Sequence, residues 1–240
     1  MSENVKPYNN SKSKKDQVKE MFDNISGKYD FLNQTLTLGI DNHWRKEAIK
    51  KINNNPSKIL DIATGTGDLA ILAAKYTNAQ ITAIDISEEM LKIGQKKTNN
   101  HKLNKRIKFI PADAENLFFK NESFDAITIG FGVRNFENLN KGLGESYRVL
   151  KKNGYIIILE PSFPTIFPLK QLFSLYFNYI TPFIGSLISK DFKAYNYLAK
   201  SVKEFPENQM FLKKISEIGF SECNFYSLSF GIASLYVAIK

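Results

Sequence analysis

The 240-residue chain has little of what would build several common kinds of site. It has one cysteine, Cys223, which excludes a disulfide framework and a cysteine metal centre and fits a reducing compartment. Its two histidines, His43 and His101, cannot make a zinc site alone, so no metal is expected. No run of ~20 apolar residues occurs, which argues against a transmembrane helix. The polar N-terminus does not read as a signal peptide. Internal repeats are absent. Acidic residues are outnumbered, 24 to 33, giving a net charge of +9. That excess suits an anionic lipid surface or nucleic acid, or it is compositional drift in a chain rich in Lys, Asn and Ile.

What the chain does contain is centred on Lys58–Ala70, which reads K-I-L-D-I-A-T-G-T-G-D-L-A. Ile59, Leu60, Ile62 and Ala63 form a nearly unbroken apolar run, the pattern of a parallel strand buried on both faces. Gly65 and Gly67 follow, then a helical pattern from Leu69 to Tyr76. Strand, glycine turn and helix N-terminus make a site for a nucleotide-like ligand, because glycine lets the backbone approach it and free helical N–H groups face it. Gly65, Gly67 and Ala70 satisfy the dinucleotide spacing G-x-G-x-x-A, with Asp85 as the following acid. Asp61 argues for a different ligand. A carboxylate there would repel a pyrophosphate and attract an amino group or a sulfonium. At ~4 Å and an effective dielectric of ~20 such a pair is worth roughly 4 kcal/mol. S-adenosylmethionine (SAM) carries both cations and no phosphate. The competing reading of Asp61 is a buried acid that caps the glycine loop.

Along the chain, residues 1–15 read as a flexible basic tail and 16–240 as a single domain. Helical spacing runs from Asp16 to Leu32, interrupted at Gly27, and again from Trp44 to Ile52. Strands are expected at Gln80–Ile84, Arg106–Ile110, Phe124–Ile129 and Gly154–Leu159, with helices between them, the last at Asn138–Leu150. After a helix at Pro206–Ile218, Glu222–Phe230 and Ala233–Ile239 suit a closing antiparallel hairpin. The alternation predicts an α/β fold: a seven-stranded, mostly parallel sheet with helices on both faces and its ligand at the strand C-terminal ends. Asp61, Asp85, Asp113 and Gly130 fall at those ends. Asp61 would face the methionine end of SAM, Asp85 the two ribose hydroxyls and Asp113 the adenine amino group. Gly65, Thr66, Gly67 and Ala114 complete the cofactor-binding candidates. Asp85 and Asp113 also read as ordinary cap and turn acids.

Two longer signatures carry a resemblance. One is Tyr29-Asp30-Phe31-Leu32-Asn33, Leu36-Thr37 and Trp44; the other runs from Arg148-Val149-Leu150-Lys151-Lys152-Asn153-Gly154 to Leu159-Glu160-Pro161-Ser162. Between them stand Gly65-Thr66-Gly67-Asp68 and Phe131-Gly132-Val133-Arg134-Asn135. From about Val18 to Lys240 the chain resembles the UbiE/MenG/Coq5 family, the SAM-dependent C-methyltransferases of ubiquinone and menaquinone biosynthesis. It departs at Leu32, Thr37 and Asp41, where family patterns often have Met, Ser and His. The resemblance implies a Rossmann-like class I methyltransferase fold and transfer of a methyl group to a ring carbon of a polyprenylated demethylquinol. Leu38-Gly39-Ile40-Asp41 resembles members from organisms that make only menaquinone, which leans the reading to that precursor.

Such a carbon is nucleophilic when the neighbouring hydroxyl is ionised, and a phenolic pKa near ~10 leaves little phenolate at neutral pH. The site must help remove that proton or stabilise the oxyanion, and it gains from being dry, since the transfer annihilates charge. Arg134 and Asn135 are the candidates beside the reacting oxygen, and Tyr29 would close the site. The competing readings are an Arg134 paired to Glu160 and a Tyr29 that packs as core. Residues 161–206 read as a helical cover inserted after the fifth strand. There Leu169, Leu172, Phe173, Tyr176, Phe177 and Ile180 keep helical spacing, and Lys170, Lys190 and Lys193 add positive charge. The cover is expected to hold the first tail units along Leu172, Phe173, Tyr176 and Phe177. It would also make the protein cytoplasmic but transiently bound to a membrane surface; ordinary core packing is the alternative. A nucleic-acid methyltransferase is disfavoured, because Gly130-Phe131-Gly132-Val133 stands where an Asn/Asp-Pro-Pro-aromatic motif would be expected, so no nucleic acid is expected as a partner. A non-catalytic SAM-binding scaffold and a homodimer stay open.

Overall fold

The computed structural model describes residues 5–181 and 192–240. Seven strands form one sheet in the order β3-β2-β1-β4-β5-β7-β6. They are β1 (Lys58–Ile62), β2 (Gln80–Asp85), β3 (Ile107–Pro111), β4 (Phe124–Gly130), β5 (Leu150–Pro161), β6 (Ser221–Leu228) and β7 (Ala233–Ile239). The first five pair in parallel; β7 runs antiparallel between β5 and β6. The order reverses at β1, so the crevice at the carboxyl ends of β1 and β4 is where this topology leaves room for a ligand.

Strand side chains alternate between two apolar layers. Leu60, Ile62, Ile127, Ile129, Ile156 and Ile158 pack with α5 (Leu139–Val149) and the helix Gln209–Ile218. Ile59, Ile81, Ala83 and Ala126 pack with α3 (Asp68–Tyr76), and Ile157, Leu159 and Leu235 with Trp44 and Ala48 of α2 (Asp41–Lys50). The apolar run read from the sequence is therefore a strand covered on both faces. β5 starts earlier than expected, at Leu150 opposite Phe124, and its register against β4 then shifts between Phe124 and Ala126.

The N-terminal region differs most from expectation. Helix α1 runs unbroken from Lys14 to Thr37, through Gly27. A lone exposed glycine costs a helix about 1 kcal/mol. Burial of Val18, Met21, Ile25 and Leu32 on either side of it outweighs that. Ser13 caps the helix, its Oγ accepting the Asp16 N–H at 3.1 Å. Lys14, assigned to a flexible tail, is fully buried: its Nζ donates to the carbonyls of Arg134 (3.1 Å) and Phe136 (2.8 Å). Helix α1 thus lies across the strand ends, against α4 (Glu88–Asn100) and Tyr197 of the helix Phe192–Glu204.

Candidate active site

The carboxyl ends of β1 to β4 open into one cleft of about 680 Å³, its solvent-open mouth included. Gly65, Asp85, Asp113, Ala114 and Gly130 line its sheet side, as the strand-end reading expected. Lys15, Val18, Phe22 and Tyr29 of α1 form the opposite wall, and the loop Phe131–Glu137 closes a third side.

The sheet side is set by backbone geometry. Gly65 has φ 56°, the left-handed region that favours glycine, and its N–H donates to Asp85 Oδ2 at 2.8 Å. Asp85 Oδ1 accepts the Ser87 N–H at 2.9 Å. Burial pushes the Asp85 carboxyl up, and the N–H groups of Ser87, Gly65 and Ile86 oppose the rise. A carboxylate has four acceptor directions, so these three N–H groups leave room for it to accept from a ligand hydroxyl. Asp113 is more heavily engaged. Its Oδ1 accepts the Glu115 N–H at 2.9 Å and its Oδ2 takes Lys15 Nζ at 2.6 Å.

Four expected site residues lie behind this surface. Asp61 is fully buried beneath the glycine turn, Oδ1 and Oδ2 accepting the hydroxyls of Thr128 and Thr64, each at 2.5 Å. Burial pushes its carboxyl up to about 6 despite both hydroxyls, and Asp85 adds to the rise. The capping role is the one the structure shows; Asp61 does not face the cleft. Thr66 donates to Asp30 Oδ1 at 2.5 Å and accepts from Lys97 Nζ at 3.1 Å, away from the cleft. Gly67, at φ 83°, is required for packing, since a Cβ there would come within 2.8 Å of the Phe109 ring. Arg134 is buried, with Nη1 2.8 Å from Glu160 Oε2 and also donating to the Phe131 carbonyl. Glu160 Oε1 accepts the Val133 N–H at 2.7 Å. Burial pushes the Glu160 carboxyl up and Arg134 pulls it back. The arginine thus supports the loop from behind; the expectation that it points at a reacting oxygen is corrected.

Tyr29 and Asn135 do line the cleft. Tyr29 stands edge-on to Phe22, centroids 5.9 Å apart, and burial pushes its phenol up. Asn135 Oδ1 accepts the Tyr197 hydroxyl at 3.0 Å. Lys15, Phe22, Met90, Phe131 and Phe136 also line the cleft and were not singled out from the sequence. Ser13-Lys14-Lys15-Asp16 is a capping signature that places Lys15 in a first helical turn, and Val18, Phe22 and Tyr29 keep the spacing of one helix face. Among the described residues no group of three or more His, Cys, Asp or Glu is placed to hold a metal ion.

The model of the ubiE/COQ5 methyltransferase family matches residues 10–240. The chain belongs to that family. This methyltransferase is 47% identical over 240 residues to a Bacteroides fragilis protein named demethylmenaquinone methyltransferase, covering 99% of this chain and 98% of the relative. It is 44% identical over 230 residues to a Geotalea daltonii protein named ubiquinone/menaquinone biosynthesis C-methyltransferase UbiE, covering 95% and 97%. Among solved structures it is similar to a SAM-dependent methyltransferase from Thermotoga maritima (TM-score 0.67, 20% identity, 92% of this chain and 99% of that one). It is also similar to a Haemonchus contortus phosphoethanolamine N-methyltransferase with SAM bound (TM-score 0.57, 15% identity, 82% and 52%). These likenesses show the Rossmann-like class I methyltransferase fold. In this family member Asp41, where family patterns often have His, is buried against Arg45 and accepts the Thr37 hydroxyl at 2.8 Å.

Proposed function

We propose that this methyltransferase transfers the methyl group of SAM to a ring carbon of a polyprenylated demethylmenaquinol, giving menaquinol and S-adenosylhomocysteine, in menaquinone biosynthesis. The observation that carries this is the 40–47% identity, over nearly the whole chain, to proteins named for that reaction. The relatives named UbiE at 44% identity favour a second reading, in which the corresponding ubiquinone precursor is also accepted.

The cleft fits the cofactor. Asp85 keeps room to accept from a ribose hydroxyl, and Ile86 and Met90 give an apolar wall for a purine. Asp113 serves the adenine amino group from beside its Lys15 partner, and the Ala114 backbone borders the same end. Asp61 acts indirectly, holding Thr64 and hence the glycine turn. SAM, when bound, supplies the electrophilic methyl group. Asn135 donates an N–H to the acceptor's ring oxygen as negative charge grows there, and Tyr29 closes the cleft above it. Phe22, Phe131 and Phe136 exclude water, which favours a step that annihilates charge. Arg134 holds the loop that presents Asn135.

An isoprenoid tail on the substrate supports a working position at a membrane surface on the cytoplasmic side. Among the described residues no helix is long and apolar enough to cross a membrane. Helix α6 (Leu169–Leu175), with the π-helical turn Tyr176–Ile180 that follows, divides the expected apolar stripe in two. Phe173 and Phe177 pack against Phe163, with centroids 5.5 and 5.2 Å from it, and Tyr176 donates to the Leu36 carbonyl at 2.8 Å. Leu172, Leu175 and Tyr179 are exposed, as are the preceding Ile166 and Phe167. The exposed set, beside Lys170, is the surface that meets lipid. Lys190, which the same expectation included, lies outside the described residues. Incubation with methyl-labelled SAM and each demethylated quinol, followed by mass analysis, tests the reading. Label in the menaquinone precursor is expected; label in neither quinol overturns it.

A further inference from the structure

The reaction as described makes no use of Tyr197, a buried tyrosine on the helix Phe192–Glu204 of the cover. Its ring packs with Val18, Met21 and Met90, the side chains that bring α1 and α4 together beside the cleft. Its hydroxyl donates to Asn135 Oδ1 at 3.0 Å. The other end of that amide, Nδ2, stands 3.4 Å from the Phe131 carbonyl oxygen. A backbone carbonyl only accepts, so the amide nitrogen must face Phe131 and the amide oxygen must face Tyr197. The opposite orientation would set two oxygens against each other. Burial pushes the Tyr197 phenol far above its ordinary value, against the pull of Arg134, so the hydroxyl keeps its proton and stays a donor at neutral pH.

We infer that Tyr197 is a positioning residue that fixes the polarity of Asn135. It holds the amide oxygen toward the cover helix, so the amide nitrogen, with one N–H on the Phe131 carbonyl, keeps its second N–H for the cleft. This rests on the reading of Asn135 as a donor to the acceptor's oxygen. An amide oxygen turned toward a growing phenolate would repel it; an N–H in that place stabilises it. Because Tyr197 belongs to the cover, one hydrogen bond links the cover helix to the presentation of the donor.

Tyr197→Phe keeps the ring and removes only the hydroxyl. The expected result is a kcat about tenfold lower, the scale of one hydrogen bond, with the KM for SAM unchanged. A double variant, Tyr197→Phe with Asn135→Ala, should be no slower than Asn135→Ala alone, because the hydroxyl acts only through the amide. Asn135→Asp, which offers acceptors only, should be at least as slow as Asn135→Ala. Independent losses that multiply in the double variant overturn the inference. So does a fall in SAM affinity that parallels the fall in kcat, which marks the hydroxyl as a general structural bond. A slow Asn135→Ala beside a fully active Tyr197→Phe overturns this inference alone. A fully active Asn135→Ala overturns the donor role of Asn135 as well.

Discussion

The strand-end side of the cleft and the cover beside it are held by different kinds of bond. On the sheet side, parallel register places Asp61 beside Ala83 and Thr128, and Asp85 beside Pro111. Backbone N–H groups and threonine hydroxyls then fix the carboxylates. The cover has no strand register to use. It is seated by ring packing among Phe163, Phe173 and Phe177 and by two tyrosine hydroxyls, Tyr176 on Leu36 and Tyr197 on Asn135. A site of this kind joins a half where charge is placed by backbone to a half whose position rests on side chains.

The sharpest break falls at the joint between them. Arg134→Ala leaves Glu160 and its buried carboxylate without an ionic partner, so we expect a stability loss of about 3–5 kcal/mol in chemical denaturation. A purely catalytic arginine would instead lower kcat with the midpoint unchanged. The next effect separates the sheet side by pH. The Asp61 carboxyl lies near 3.8 when free and at about 6 in the fold. A raised acid stabilises the native state fully below its free value, and that contribution is lost as pH rises through the folded one. At about 1.4 kcal/mol per pH unit, the loss between pH ~4 and ~6 is roughly 3 kcal/mol. Asp61→Asn should flatten that part of the stability profile; a variant with the same slope as the parent would remove Asp61 as its source.

Asp85→Ala should weaken SAM binding by about 1.5–3 kcal/mol, the scale of hydrogen bonds to a charged group, as read by calorimetry. Unchanged affinity in a folded variant would take Asp85 out of the site. The smallest effect on stability belongs to the cover's exposed face. Leu172→Ser with Leu175→Ser should change stability by less than ~0.5 kcal/mol, since both side chains are exposed. It should nevertheless lower partition onto anionic vesicles and turnover of tailed quinols; vesicle binding equal to the parent's would count against the lipid-facing assignment.

The same division explains what could be read in advance. The strands, their order of alternation and the acids at their ends follow from short apolar runs with an acid or glycine after each, a period the backbone itself imposes. Asp61 was placed against the ligand because its position in the chain is adjacent to the glycine turn. Its direction is set by the strand's alternation and by Thr128, sixty-seven residues away in sequence. For Arg134 the sequence left two readings open, and the one that holds is the pairing with Glu160, which ends a different strand. Lys14 and Lys15 were read as tail because lysines in a polar leader normally stay in water. Their acceptors lie in the loops after β3 and β4, where local pattern gives no hint of them. In the cover, spacing identified a helical stripe but could not say which of its residues face Phe163 and which face outward.

The two ends of α1 are tied to distant parts of the chain. Lys14 reaches the carbonyls of Arg134 and Phe136, and Leu36 accepts from Tyr176. The middle of this helix packs on α4, but the partners that hold its two ends are synthesised more than a hundred residues later. Contacts of such sequence separation close slowly compared with neighbouring strand pairs. Helix α1 can thus dock on α4 early, while its two ends are tied down only when most of the chain has emerged. Pulse-labelled hydrogen exchange during refolding should protect the amides of β1 and β4 before those at the two ends of α1.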